Sequence, residues 1–316
     1  QTAHYSRLEA IAIQISVLFR FISIVLIMLK RNGKLLTLLA IQMILTILSD
    51  TLIVSTLPMS LKIGVNGIFP TRRSSDLVLV IVGVIMLHRD GIDVISKEKN
   101  NFAWLKDWLR IGGLSGLESF VRNAAFTLMI IRMINMVQEQ GTFWIANNFI
   151  WGWLLLPILA LGELIKRNTA EDSHSIKRTM PAYLVLTTGI CVLWLASMPV
   201  WNVFVQKVMN VASYQSVVNV AVISIVFYII FAYNNIVDSI FYELGRTDLM
   251  LYQSLLVNTI FYGGMYIAYK TGLFIPSLER IAIMFGIGMA ADSMITFVMF
   301  WVLRKQNRLV SGEATK

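Results

Sequence analysis

The residues here that can do chemistry are ionisable and amide side chains set inside long apolar runs. Glu118 and Arg122 stand four apart, so on a helix they share one face and can pair. Asn234, Asn235 and Asp238 fall within about one helical turn. Their two amide carbonyls and one carboxylate are hard oxygen ligands that suit Na⁺, whereas a lone carboxylate suits H⁺. Asp50 and Asp292 are single carboxylates in apolar surroundings, and Arg20, Arg132, Asn147, Asn148 and Asn258 are further polar groups of this kind. Charge at the centre of a bilayer costs about 2.5–3.5 kcal/mol on insertion scales, so each is a functional candidate by default. Each also has a plainer alternative. Glu118 and Arg122 can be a static ion pair that neutralises two costly charges, and the asparagine cluster can be an interhelical hydrogen-bond patch. Glu163, beside Lys166 and Arg167, reads as a salt bridge at a loop edge.

The elements that position these residues are membrane helices. Of 316 residues, 57% are hydrophobic and 14% charged, and the mean hydropathy is +0.70. A soluble domain carries about 25% charged residues, so a soluble enzyme, a disordered chain and a coiled coil are excluded. The apolar residues fall in blocks of about 20, enough to cross a bilayer as helices. The expected fold is all-α and polytopic, with spans near 10–29, 35–57, 77–87, 108–135, 142–165, 181–203, 214–241, 249–269 and 279–303. The third block is too short to cross, so eight spans are full and one is broken. With the third counted as a crossing, the loops on one side hold seventeen cations and those on the other four. That bias places the first set, and the C-terminus, in the cytoplasm. The protein is thus expected to be integral to the plasma (cytoplasmic) membrane. A start on the outer side implies that further spans precede Gln1. The net charge of +9 is explained by these loops rather than by nucleic acid. Cys191 lies within an apolar block and reads as a packing residue.

Two features bear on domain organisation. Pro70-Thr71-Arg72-Arg73-Ser74-Ser75-Asp76-Leu77 is abruptly polar, and its reverse translation resembles the end of a common sequencing adapter. Residues 70–77 are therefore expected to be an artefact replacing the first half of the third span. The pair of spans around Leu29-Lys30-Arg31-Asn32-Gly33 and the pair around Leu244-Gly245-Arg246-Thr247-Asp248 look alike, at an offset of 215 residues with both loops on the same side. Same-side repeats imply two homologous helix bundles, as in some secondary transporters. The expected organisation is the tail of a first bundle (1–69, with a remnant of its last span at 78–87), a charged cytoplasmic linker (88–107), a complete six-helix second bundle (108–303) and a cytoplasmic tail (304–316). Gly112, Gly113 and Gly116 suit close packing or a bend, and Trp144, Trp151 and Trp153 suit a stacking wall or an interfacial belt. No GxxxxGK[ST] sequence, HExxH sequence or Ser/His/Asp arrangement is present, so no enzyme activity and no cofactor are expected.

With these residues in hand, the chain resembles the multidrug and toxic compound extrusion (MATE) family. Three patterns carry the resemblance: Ser49-Asp50-Thr51-Leu52-Ile53 followed by Gly64-Val65-Asn66-Gly67-Ile68; Ile111-Gly112-Gly113-Leu114-Ser115-Gly116-Leu117-Glu118; and Glu243-Leu244-Gly245-Arg246-Thr247-Asp248. It implies twelve spans in two six-helix bundles that exchange organic cations for Na⁺ or H⁺, with the first span here matching the family's fourth. By resemblance Asp50 takes the place of a first-bundle coupling carboxylate, although the Asn expected one turn earlier is Thr46. In the second bundle the family's coupling Glu falls where Arg122 stands, with Glu118 one turn before it on the same face. The usual Pro is Leu114, and the usual Arg-Gly before the loop reads Tyr242-Glu243, which marks a divergent branch. The expected function is a cation-coupled antiporter exporting small amphipathic or cationic organic compounds by alternating access. Glu118, Asp238, Asp50 and Asp292 would couple the cation, and Arg122, Asn234, Asn235, Asn258 and Asn147 would tune it or line the cavity. Na⁺, if it is the ion, would sit on Asp238, Asn234, Asn235 and Glu118. The expected partners are a small organic substrate, the cation and membrane lipid, with no nucleic acid, and the chain is expected to be monomeric. The alternatives are a lipid-linked precursor flippase, suggested by Arg20, Arg122 and Arg132, and a non-transporting membrane scaffold.

Overall fold

The structure is a computed structural model that describes residues 2–54, 60–61, 65–92, 102–137, 139–172 and 176–305. Among these residues there is no strand. The protein is an all-α polytopic membrane protein. Four helices, over Gly33–Ile53, Arg178–Val208, Tyr214–Glu243 and Leu278–Lys305, are long and apolar enough to cross a bilayer, and a pair bent by 50° between Gln140 and Glu171 passes the same test when taken together. Ile13–Met28 is a shorter apolar helix.

The chain divides into two compact units, Gln1–Asn100 and Asn101–Lys316. The first contains α1 (Thr2–Met28), α2 (Asn32–Ser49) and α3 (Val65–Arg89), and α2 continues into a π-helical turn at Asp50–Val54. Leu26, Leu38 and Leu79 are fully buried where the three helices meet. The sequence suggested that only 77–87 would be a span and that 70–77 would interrupt it. Instead α3 is one helix through that stretch. Helical hydrogen bonds run between backbone groups and tolerate polar side chains, and here Ser75 and Asp76 are buried, with Ser16 Oγ on α1 donating to Asp76 Oδ2 at 2.6 Å.

The second unit is built around α9 (Tyr214–Glu243), which packs on α12 (Leu278–Lys305) and α7 (Leu156–Glu171), and also on α6 (Gln140–Phe149), α8 (Ile176–Val203) and α10 (Thr247–Leu256). α4 (Leu105–Ala125) passes through a π-helical turn, Phe126–Ile130, into α5 (Ile131–Ile134). That continuous rod is about 45 Å long at the α-helical rise. α10 passes likewise through Val257–Tyr262 into α11 (Gly263–Lys270). The irregularity in α4 falls at this π turn, away from Gly112, Gly113 and Gly116. A side chain at Gly113 or Gly116 would meet nothing, and one at Gly112 would meet only Trp108 of its own helix, so the expected close packing is not found there. Close approach occurs instead at Gly162, whose α-carbon faces Asn235 and Ser239 of α9.

α6 and α7 meet at a 50° bend. Pro157, in the first turn of α7, has no N–H to continue the ladder. The Leu154 carbonyl at the break accepts a hydrogen bond from Trp194 Nε1 of α8 at 3.0 Å.

The two short basic loops share one backbone geometry, a left-handed helix end that also closes α3 at Gly91. At the end of α1, the N–H groups of Leu29, Lys30 and Arg31 donate to Val25, Ile27 and Leu26. At the end of α9, those of Leu244, Gly245 and Arg246 donate to Ile240, Tyr242 and Phe241, the same pattern 215 positions on. The middle residue is left-handed in both loops, Lys30 at φ 56° and Gly245 at φ 68°. The pattern extends into the next helix, with Lys34 N–H on Arg31 O matched by Leu249 N–H on Arg246 O. In the first unit the loop is tied to the end of α3, since Lys34 Nζ donates to Asp90 Oδ1 at 2.6 Å and Arg31 Nε lies 3.5 Å from Oδ2.

Trp194→Phe keeps an aromatic ring in place but removes the donor from the bend. It is expected to destabilise the protein by about 1–3 kcal/mol, the cost of leaving a carbonyl unpaired, read as a lower thermal unfolding midpoint in detergent. The Asp90 carboxyl is held below the usual carboxylate range by its hydrogen bond from Lys34 and the charges of Lys34 and Arg31. Its contribution is therefore present above the ordinary carboxylate range and is lost only as pH falls through this lowered value. A pH titration of the unfolding midpoint should lose that acid step in Asp90→Asn.

Candidate functional site

The second unit encloses a cavity of about 580 Å³, within the range of small-molecule pockets. The α4–α5 rod, α6, α7, α9, the α10–α11 rod and α12 all contribute to its wall. One part is aromatic. Phe143 stacks on Phe285 with ring centroids 5.6 Å apart, and Trp144 meets Phe126 edge-on at 6.2 Å. Trp151 donates from Nε1 to the Tyr228 hydroxyl at 3.1 Å and packs on Phe231. Trp144 and Trp151 thus line the cavity, whereas Trp153 does not.

The other part is polar. Glu118 on α4 is 3% exposed. Arg122 Nη1, one turn on, lies 2.9 Å from Glu118 Oε1, and the Tyr242 hydroxyl of α9 donates to Oε2 at 3.3 Å. Both carboxylate oxygens of Glu118 are therefore engaged. The Arg122 side chain is 58% exposed, so the pair consists of a buried anion and an accessible cation.

Asp238 on α9 is differently placed. Asn234, fully buried one turn earlier, donates from Nδ2 to Asp238 Oδ2 at 2.9 Å, while its own Oδ1 has no hydrogen-bond partner among the described residues. Thr296 of α12 has a single hydroxyl proton and three acceptors in reach: Gln253 Oε1 at 2.6 Å, the Asp292 carbonyl at 3.2 Å and Asp238 Oδ1 at 3.4 Å. The shortest contact takes the proton, which leaves Asp238 Oδ1 and Asn234 Oδ1 with unused acceptor capacity.

Among the residues singled out from sequence, Glu118, Arg122, Asn147, Asn235, Asp238, Asn258 and Asp292 all line this cavity, and Asn234 sits directly behind Asp238. Of the four residues proposed to share one Na⁺, Asn234 and Asp238 are hydrogen-bonded to each other, and Asn235 and Glu118 have other partners. Asn235 Nδ2 donates to the Ile158 carbonyl of α7 at 3.0 Å, and Glu118 is held by Arg122 and Tyr242. Asn258 donates to the Ser254 carbonyl at 2.7 Å. No group of three or more His, Cys, Asp or Glu side chains placed to hold a metal occurs among the described residues. Asp50 lies in the π-helical turn of the first unit, and its side chain falls outside the described residues. Glu163 pairs with Lys166 at 2.7 Å, as the sequence suggested. Of the three arginines that suggested a flippase, Arg122 alone lines this cavity. Sequence reasoning passed over Tyr242, Gln253 and Thr296. The signal available for the last two was the one that marked Asn258, an uncharged polar residue within an apolar helix.

No family model and no curated protein matches the sequence. Solved structures do match its fold. A MOP superfamily transporter from Pyrococcus furiosus Vc1, described as having a binding pocket of reverse polarity, is similar at a TM-score of 0.64 and 17% identity, over 87% of this chain and 63% of that one. An outward-facing multidrug resistance MATE family transporter is similar at a TM-score of 0.64 and 16% identity, over 89% and 64%. A MATE protein in a straight conformation gives 0.62 and 18%, over 88% and 63%. The chain has the fold of MATE and related MOP-superfamily transporters, and it spans a little under two thirds of the length of these proteins.

Arg122→Met removes the cation from a buried carboxylate and should lower the unfolding midpoint, and Glu118→Gln in the same chain should recover most of the loss. A double-mutant cycle on the pair is expected to give a coupling of about 1–2 kcal/mol, below that of a fully buried pair because the guanidinium is solvated.

Proposed function

We propose that this protein is a cation-coupled antiporter that exports small amphipathic or cationic organic compounds by alternating access. The observation that carries this reading is the division of one cavity into an aromatic wall and a wall of carboxylates that differ in occupancy. Glu118 carries a built-in counter-cation, while Asp238, with Asn234 behind it, keeps free acceptor capacity toward the cavity. The aromatic wall supplies stacking and cation–π surface for an organic cation. A carboxylate that binds either the coupling cation or the substrate links the two fluxes, provided that its affinities differ between the two access states. Asp238 and Asp292 are the coupling groups in this reading, with H⁺ or Na⁺ as the transported ion and Arg122 holding Glu118 out of the exchange. The protein would act in the plasma membrane with its C-terminus in the cytoplasm, as the loop charges suggest.

The test is efflux of ethidium, a fluorescent organic cation, from vesicles containing the purified protein under an imposed H⁺ or Na⁺ gradient. Gradient-driven efflux is expected, Asp238→Asn should abolish its dependence on the gradient, and Glu118→Gln should retain that dependence at a reduced rate. Unchanged coupled efflux in Asp238→Asn removes the carboxylate from this role.

A further inference from the structure

Away from the cavity, at one end of the second unit, three hydrogen-bond donors converge with no acid among them. Arg132, in the last turn of α4–α5, donates from Nη1 to the Tyr266 hydroxyl at 3.2 Å. Lys270, the last residue of α11, has its ammonium 5.6 Å from the centre of the Tyr266 ring and 5.8 Å from that of Tyr269. The charged groups acting on the Tyr266 phenol are these two cations, and neither forms an ion pair with a carboxylate among the described residues.

A cation near a helix C-terminus is ordinary, because the helix dipole favours it. Two cations on one phenol are a different matter. Guanidinium and ammonium groups have donors only, and the single side-chain acceptor between them, the phenolic oxygen, is already used by Arg132. The phenol proton adds another donor. The cluster therefore presents positive charge and surplus N–H and O–H groups, and its chemical complement is an anion rich in acceptor oxygens. Its surroundings define the rest of that ligand. Leu128, in the π-helical turn before α5, and Met136, in the turn after it, are 57% and 63% exposed, and Ile267 beside Tyr266 is 64% exposed. Apolar side chains next to a cationic group at a helix end match the two parts of a lipid.

We propose that Arg132, Tyr266 and Lys270 form a binding site for the headgroup phosphate of an anionic phospholipid, with its acyl chains lying along the neighbouring apolar face. The site is independent of the transport cavity. Arg132 and Lys270 supply charge-assisted hydrogen bonds to the phosphate oxygens, and Tyr266 holds the two cations at one point.

The experiment is native mass spectrometry of the purified protein, delipidated and titrated with phosphatidylglycerol or with phosphatidylcholine of the same acyl chains. Phosphatidylglycerol should bind in preference. Arg132→Gln with Lys270→Gln should weaken it about thirtyfold and Lys270→Gln alone about fivefold, the factors for two charges and one charge near a lipid surface. Phosphatidylcholine, whose phosphate charge is balanced by its choline, should lose less in both, and Lys207→Gln, at a cation outside the cluster, should bind like the parent. The single variant, at an exposed helix end, carries the test if the double variant fails to fold. Equal binding of the two lipids by the parent overturns the proposal, as does parent-like binding by Lys270→Gln. Competition by inorganic phosphate at the concentration of the lipid also overturns it, since the site would then recognise a free anion.

Discussion

Polar groups buried within the second unit need partners on the protein, because hydrocarbon supplies none, and α9 makes several of those pairings. The helix is apolar through its middle, and the polar residues that reach its neighbours here lie in its last three turns. Asn235 holds a carbonyl of α7, Asn234 holds Asp238, and Tyr242 reaches Glu118 of α4. Two helices are thus oriented around α9 by hydrogen bonds from one stretch of about two turns. Gly162 belongs to the same arrangement, since its lack of a side chain lets α7 approach Asn235 and Ser239. Such bonds are modest one at a time in membrane proteins, and their effect here is to fix rotation and register.

The same bonds divide the carboxylates by role. Glu118 and Asp238 face one cavity, yet one is saturated, by Arg122 of its own helix and Tyr242 of α9, and the other is not. A tethered guanidinium neutralises its carboxylate wherever the pair goes. A carboxylate whose partners are amides and hydroxyls has to draw its counter-charge from a proton, an ion or a ligand. This asymmetry gives the cavity a fixed polar part and an exchangeable one beside a wall of rings.

Irregular turns complete the architecture. The rods α4–α5 and α10–α11 each contain a π-helical turn at cavity level, and α6 ends in another at Ile150–Leu154. Such turns turn the following side chains relative to a regular helix and occur often at functional sites. In this molecule they bring Phe126, Trp151 and Asn258 onto the cavity wall. The 50° bend beside the last of them needs a donor from outside the helix, which Trp194 provides.

Much of this was open to reading in the residues alone. Hydropathy determined the all-α membrane class, because only helices and closed barrels satisfy their backbone in lipid. The short basic loops at Lys30 and Gly245 were legible as tight turns between helices, because a helix that turns back in three or four residues has few ways to do so. Ionisable side chains in apolar runs marked the cavity residues, because their cost demands a reason. Other features were beyond local reading. Residues 65–89 form one helix despite a polar stretch that interrupts the hydropathy signal, since the backbone ladder does not depend on that signal. The π turns carry no residue signature of their own. Which carboxylate is occupied and which retains free acceptors depends on Tyr242, Gln253 and Thr296, more than a hundred residues from Glu118 and brought near by packing. The convergence of Arg132 and Lys270 on one phenol likewise joins two helix ends far apart in the chain. Sequence determined which groups had to be satisfied. Tertiary structure decided by which partners, because a hydrogen bond depends on distance and direction in space.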